Sequence, residues 1–179
     1  MNALPLPHNT ASRRHALHTM AWCALAAAAL PGCSFKLRGA QSYAFSSLFV
    51  NAPATSVLVM ELQRALESGN VRVITDVKDR ASAQVLLDVQ TDQREKVVVG
   101  VTSSGQVREF QLRLRFKFAL RNPAGKELVP ETELLQQRDI SFNESAVLSK
   151  EAEESLLYRN MQSDIVQQIT RRLATLRDL

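Results

Sequence analysis

The chain has 179 residues, enough for one ordinary domain plus a short extension, and a formal charge of +4 from 22 Lys and Arg against 18 Asp and Glu. That excess is too small to argue for nucleic acid, and no apolar run approaches the roughly 20 residues that a membrane-spanning helix needs. All three histidines (His8, His15, His18), the only Trp (Trp22) and Cys23 precede residue 33. Residues 33–179 therefore contain no imidazole for a Ser-His-Asp or Cys-His triad, no usual His/Cys zinc set and no disulfide pair. Their scattered glycines make no phosphate loop.

In chain order, the first segment is a basic region with Arg13 and Arg14, followed by the short apolar run 20–30. That is the layout of a secretory signal peptide. Residues 12–17, Ser-Arg-Arg-His-Ala-Leu, only loosely resemble a twin-arginine signal, because Ala16 stands where Phe is expected. The run ends in Leu30-Pro31-Gly32-Cys33, which resembles the lipobox of bacterial lipoproteins, with Pro31 a departure from the usual Ala or Ser. The resemblance implies removal of residues 1–32 and acylation of Cys33; several acyl chains anchor a protein where one cannot. In such lipoproteins Asp after the cysteine favours inner-membrane retention, so Ser34 favours the outer membrane. The mature chain then keeps 20 basic and 18 acidic residues, and its charge falls to +2.

Residues 33–45 read as a polar, lipidated tether, and 46–179 as a single domain. Within it, 46–51 suits a short strand that Pro53 breaks. Ser56 is a candidate N-cap for a helix with Leu58, Val59, Leu62, Ala65 and Leu66 on one face, closed by Gly69. A second strand is expected at 71–75.

The clearest periodicity lies at 85–120. Phe110, Leu112, Leu114, Phe116, Phe118 and Leu120 alternate with Gln111, Arg113, Arg115, Lys117 and Ala119; Val85, Leu87, Val89, Val97 and Val99 alternate with Asp88, Gln90, Asp92, Arg94 and Lys96. Thr102, Ser103, Ser104 and Gly105 suit the turn of a hairpin between the halves. With that turn centred near Ser103 and Ser104, paired residue numbers sum to about 207. This register predicts Arg94 opposite Arg113 and Asp92 opposite Arg115 on a polar face. On the buried face it sets Val97 against Phe110 and Val89 against Phe118.

A turn at Pro123-Ala124-Gly125 leads to a weaker strand pattern at 131–142. Leu148, Ala152, Leu156, Leu157, Met161, Ile165, Ile169, Leu173 and Leu176 then recur at helical spacing, with acids early and arginines late, as the helix dipole favours. The expected fold class is α/β: a two-layer sandwich of two helices packed on one face of a four- to five-stranded mixed sheet.

Residues 33–39, Cys-Ser-Phe-Lys-Leu-Arg-Gly, resemble the Cys-Gly-Phe-x-Leu-Arg-Gly start of the LptE family of lipopolysaccharide-assembly lipoproteins, with Ser34 for Gly and Lys36 as departures. The element order is similar across the whole mature chain. The resemblance implies an α/β sandwich held in the lumen of the outer-membrane β-barrel LptD, acting as a plug, assisting barrel assembly and binding lipopolysaccharide. It implies no cofactor, metal, nucleic acid or catalytic group. Lipopolysaccharide carries phosphates, which Arg and Lys bind well. The candidate patch is Arg94, Lys96, Arg113, Arg115 and Lys117 on the polar hairpin face; the alternative is a solvated face with Asp88 and Asp92 as counterions. The turn Thr102, Ser103, Ser104 and Gly105 is a candidate contact with a barrel wall. Two rival functions stay open: a lipoprotein subunit of a periplasm-spanning phospholipid or solute transporter, and a carboxylate-dependent envelope hydrolase.

Overall fold

The computed structural model describes residues 41–177. The signal segment, Cys33 and the 33–39 heptapeptide lie outside the described residues. Five strands and two helices run in the order β1 (Ser47–Asn51), α1 (Val57–Ser68), β2 (Arg72–Ile74), β3 (Val85–Val101), β4 (Val107–Arg121), β5 (Glu127–Ser141) and α2 (Val147–Thr175), with short 3-10 turns at Val77–Ser82 and Glu144–Ala146. The sheet order is β2-β1-β3-β4-β5. β1 runs parallel to both β2 and β3, while β3, β4 and β5 form an antiparallel meander. This is the expected mixed five-stranded sheet with both helices on one face.

Local chemistry sets the helix ends. Ser56 is extended and its hydroxyl accepts from Val59 N–H at 3.0 Å, satisfying one of the free donors of α1. At the other end the left-handed residue is Asn70 (φ 62°), not Gly69. Gly69 matters for space: a Cβ there would stand 2.6 Å from Tyr43 Cε2.

The hairpin turn sits where the sequence placed it. Thr102 N–H donates to Gln106 O (2.8 Å), Gly105 N–H donates to Thr102 O (3.0 Å), and Gly105 has φ 83°. A side chain in that left-handed region costs about 1–2 kcal/mol. Gly105→Ala should therefore lower the urea-unfolding free energy by about 1 kcal/mol while leaving the core packing unchanged.

The register departs from the expectation first near Gln90, and the ladder shifts again between Val98 and Gly100 and between Gly100 and Val101. Leu87 pairs with Leu120 and Val89 with Phe118, as predicted. Between Val89 and Thr91 the ladder shifts by one residue, and beyond it Asp92 pairs with Phe116, Arg94 with Leu114, Lys96 with Leu112 and Val97 with Gln111. Arg94 therefore does not face Arg113, nor Asp92 Arg115, nor Val97 Phe110. Through this stretch β4 alternates without interruption, so its apolar row stays under the helices. The extra β3 residue turns the even positions of β3 onto that same side.

The core lies between the sheet and both helices. Leu48, Leu87, Leu112, Phe116, Phe118 and Leu120 meet Leu62 and Leu66 of α1 and Met161, Ile165, Ile169 and Leu173 of α2, all fully buried. A small second cluster, Phe49, Ile74, Ala83 and Leu86, lies apart from it, with Arg80 5.8 Å over the Phe49 ring. The expected helical stripe is buried only in part: Leu148 is 82% and Leu156 50% exposed, and burial in α2 begins at Tyr158. The earlier turns of α2 lie beside Lys96, where β3 presents charge rather than apolar surface.

Candidate functional site

The five cations proposed as one patch stand on two opposite faces of the sheet. Past the β3 irregularity, Asp92, Arg94 and Lys96 point to the helices and each is engaged there. Asp92 accepts from the Ser56 hydroxyl, linking β3 to the cap of α1. Arg94 donates to Gln162 Oε1 (2.7 Å), and Gln162 Nε2 donates to Glu61 of α1 (2.8 Å). The same guanidinium lies 5.3 Å from the Tyr158 ring, whose hydroxyl donates to Glu95 O (2.6 Å). Burial, and then the Glu154 charge, raise the Tyr158 pKa above its ordinary value. Lys96 pairs with Glu154 (2.6 Å) and sits 4.5 Å over Phe110. These groups stitch β3 to both helices.

On the uncovered face, Arg113, Arg115 and Lys117 stand two residues apart along β4, as alternation requires. Arg115 pairs with Glu133 (3.4 Å) and Lys117 with Glu131 of β5. Arg113 donates to Gln111 Oε1 (2.8 Å) and, among the described residues, has no carboxylate within 4 Å. Arg115 Nε is buried without a hydrogen-bond partner. Hydrogen bonds from Lys117 and then Gln90 hold the Glu131 carboxyl below its ordinary value of 4.5. A lowered pKa makes this pair's contribution complete above 4.5 and lost only as pH falls through the lower folded value. Neutral pH leaves it intact.

The hairpin turn is exposed and self-bonded: Thr102 Oγ1 lies 2.8 Å from Ser104 Oγ and accepts from Gln106 N–H (3.0 Å). Beside it, Val98, Val99 and Val101 are 46%, 47% and 59% exposed. Sequence reading missed a shallow groove next to this end of the sheet, lined by Lys96, Phe110, Phe142, Val147 and Lys150, because its walls come from β3, β4, the segment after β5 and α2. Among the described residues no group of three or more His, Cys, Asp or Glu could hold a metal ion, and no helix is long and apolar enough to cross a membrane.

A model of the LptE family, described as lipopolysaccharide-assembly, matches residues 45–173. The solution structure of an uncharacterized lipoprotein B from Nitrosomonas europaea is 32% identical, with 76% of this chain and 88% of that chain covered and a TM-score of 0.65. A minor lipoprotein from Acinetobacter baumannii is 23% identical over 74% of this chain and 92% of its own (TM-score 0.58). The rare lipoprotein B of Shewanella oneidensis is 21% identical over 72% and 94% (TM-score 0.59). These two show the shared fold. No curated protein matches in sequence.

Proposed function

Because the chain belongs to the LptE lipopolysaccharide-assembly family, we propose that it plugs an LptD-like outer-membrane β-barrel, assists the assembly of that barrel and binds lipopolysaccharide on its uncovered sheet face. In this reading the body is residues 46–179, tied to the outer membrane by lipid on Cys33 after removal of 1–32. It is a binding protein and uses no catalytic group.

One observation supports the ligand assignment above the others. On the open face Arg113 has no carboxylate partner among the described residues and bonds only the neutral Gln111 amide, whereas Arg115 and Lys117 are paired with Glu133 and Glu131. A guanidinium without a carboxylate is the cation of this face best suited to a phosphate oxygen. This reading leaves Arg94 and Lys96 outside the ligand site, since they stand on the opposite, helix-covered face of the sheet. The rest of the face offsets charge within the sheet through Glu131 and Glu133, which suits the polar lumen of a barrel. The turn at Thr102, Ser103, Ser104 and Gly105 is the proposed contact with the barrel wall.

Two measurements test this. Acylated protein purified from outer membranes should bring a large β-barrel with it; an inner-membrane ATPase complex in its place would favour the transporter reading. Arg113→Glu combined with Arg115→Glu should weaken lipopolysaccharide capture about tenfold or more, the cost of roughly one lost charge-assisted contact. Unchanged capture would remove this face from the site.

A further inference from the structure

We propose that the outer edge of β5 is a strand-addition site for an extended, basic segment of a partner protein, with Arg138 as its gate. The two edges of the sheet are unequal: β2 has three residues, whereas β5 has 15. In an antiparallel ladder each residue turns its N–H and C=O to the same side. Phe142 N–H donates to Arg108 O, and the register between Thr132 and Ser141 is unbroken. Even-numbered residues there turn their backbone to β4. The N–H and C=O groups of Glu133, Leu135, Gln137 and Asp139 therefore face outward, with no further strand beyond them among the described residues. A long row of unpaired backbone groups is a template for another strand unless something blunts it.

Two features blunt it. Pro130 lies in the irregular stretch at the start of the strand, between Val129 and Thr132. Arg138 does the rest: its Nη1 donates to Gln137 O (2.7 Å) on the free edge, while its Nη2 is held by Asp164 of α2 (3.2 Å). Both Arg138 and Asp164 are well exposed, at 42% and 47%, so this contact is weak and can be displaced.

Charge selects the occupant. β4 carries five cations against Glu109, and β5 carries Glu127, Glu131, Glu133 and Asp139 against Arg138. A basic strand continues that alternation. A second copy of this chain does not. In the regular stretch the acids are odd-numbered and Arg138 even-numbered, and directly opposed residues share a face, so no antiparallel edge-to-edge register brings opposite charges together.

The test uses the folded full chain and the capped peptide Lys-Thr-Val-Thr-Val-Thr-Lys, whose lysines reach Glu133 and Asp139 when it lies antiparallel, with its Glu-for-Lys counterpart as control. The basic peptide should bind and slow amide exchange at Leu135 and Gln137. Arg138→Ala should tighten it about tenfold, and Gln137→Pro, which removes an outward N–H and no ladder bond, should weaken it by at least that factor. Glu133→Lys with Asp139→Lys should transfer the preference to the acidic peptide, which keeps the test decisive if the proline variant fails to fold. Equal binding to the native and proline chains overturns the proposal. So does absence of exchange protection in the Arg138→Ala chain at millimolar peptide, or equal binding of both peptides.

Discussion

Phe116→Ala is expected to lower stability by about 3–5 kcal/mol, measured as the free energy of urea unfolding. Phe116 is fully buried at the centre of β4 and lies 5.9 Å from Phe118, ring centroid to ring centroid. It touches the layer where both helices meet the sheet. Truncation removes the transfer energy of the ring and leaves a void that rigid strands on either side cannot close, which puts the cost at the upper end for a core substitution. The partner on β3 at this level is Asp92, a short side chain already bonded to Ser56, so nothing on that strand can swing in to fill the space. A loss below about 1 kcal/mol would mean the helices settle onto the sheet, and that the layer is less rigid than its packing implies.

Gln162→Leu is expected to cost about 2–3 kcal/mol, although leucine is of similar size and apolar. Gln162 is 3% exposed, takes the Arg94 guanidinium on one atom of its amide and gives the other to the Glu61 carboxylate. Both bonds involve a charged group, and such bonds contribute more than neutral ones. The substitution leaves a guanidinium and a carboxylate facing an apolar side chain in a partly buried seam. A double-mutant cycle with Glu61→Leu separates the seam from simple packing: the second substitution should cost much less once Gln162 is gone. Additive losses would show that the three groups act independently.

The seam explains why α2 begins to bury only at Tyr158. Over its first turns the facing β3 residue is Lys96, and the helix answers with Glu154, a partly exposed pair that contributes no more than about 1 kcal/mol. Apolar residues on those turns, Leu148 above all, are left in solvent.

The family was legible from two independent parts of the chain. The heptapeptide at 33–39 pointed to it, yet the family model matches 45–173, which excludes that heptapeptide. Elements with unbroken local periodicity could be read directly. β4 alternates over its central stretch, α1 opens on Ser56 and ends at Gly69, and the turn at 102–106 has the glycine that a positive φ demands. Each of these depends on the pleat, on the helical repeat or on the conformational freedom of one residue, all of which are properties of neighbours in sequence.

The basic patch was not legible in this way. Its five cations share one face only if residues pair one to one along the whole hairpin, and a single extra residue near Gln90 breaks that condition. Nothing in the β3 pattern marks the extra residue, because every residue from Gln90 to Lys96 is polar and no apolar alternation fixes the register there. Its position is set by what it brings together: Asp92 with Ser56, Arg94 with Gln162, and Lys96 with Glu154, pairs up to 68 residues apart in the chain. Local sequence determined which segments become strands and helices. Contacts between distant segments decided which cations remain on the open face, because a charge next to the helix layer is tolerated only where another element supplies its partner.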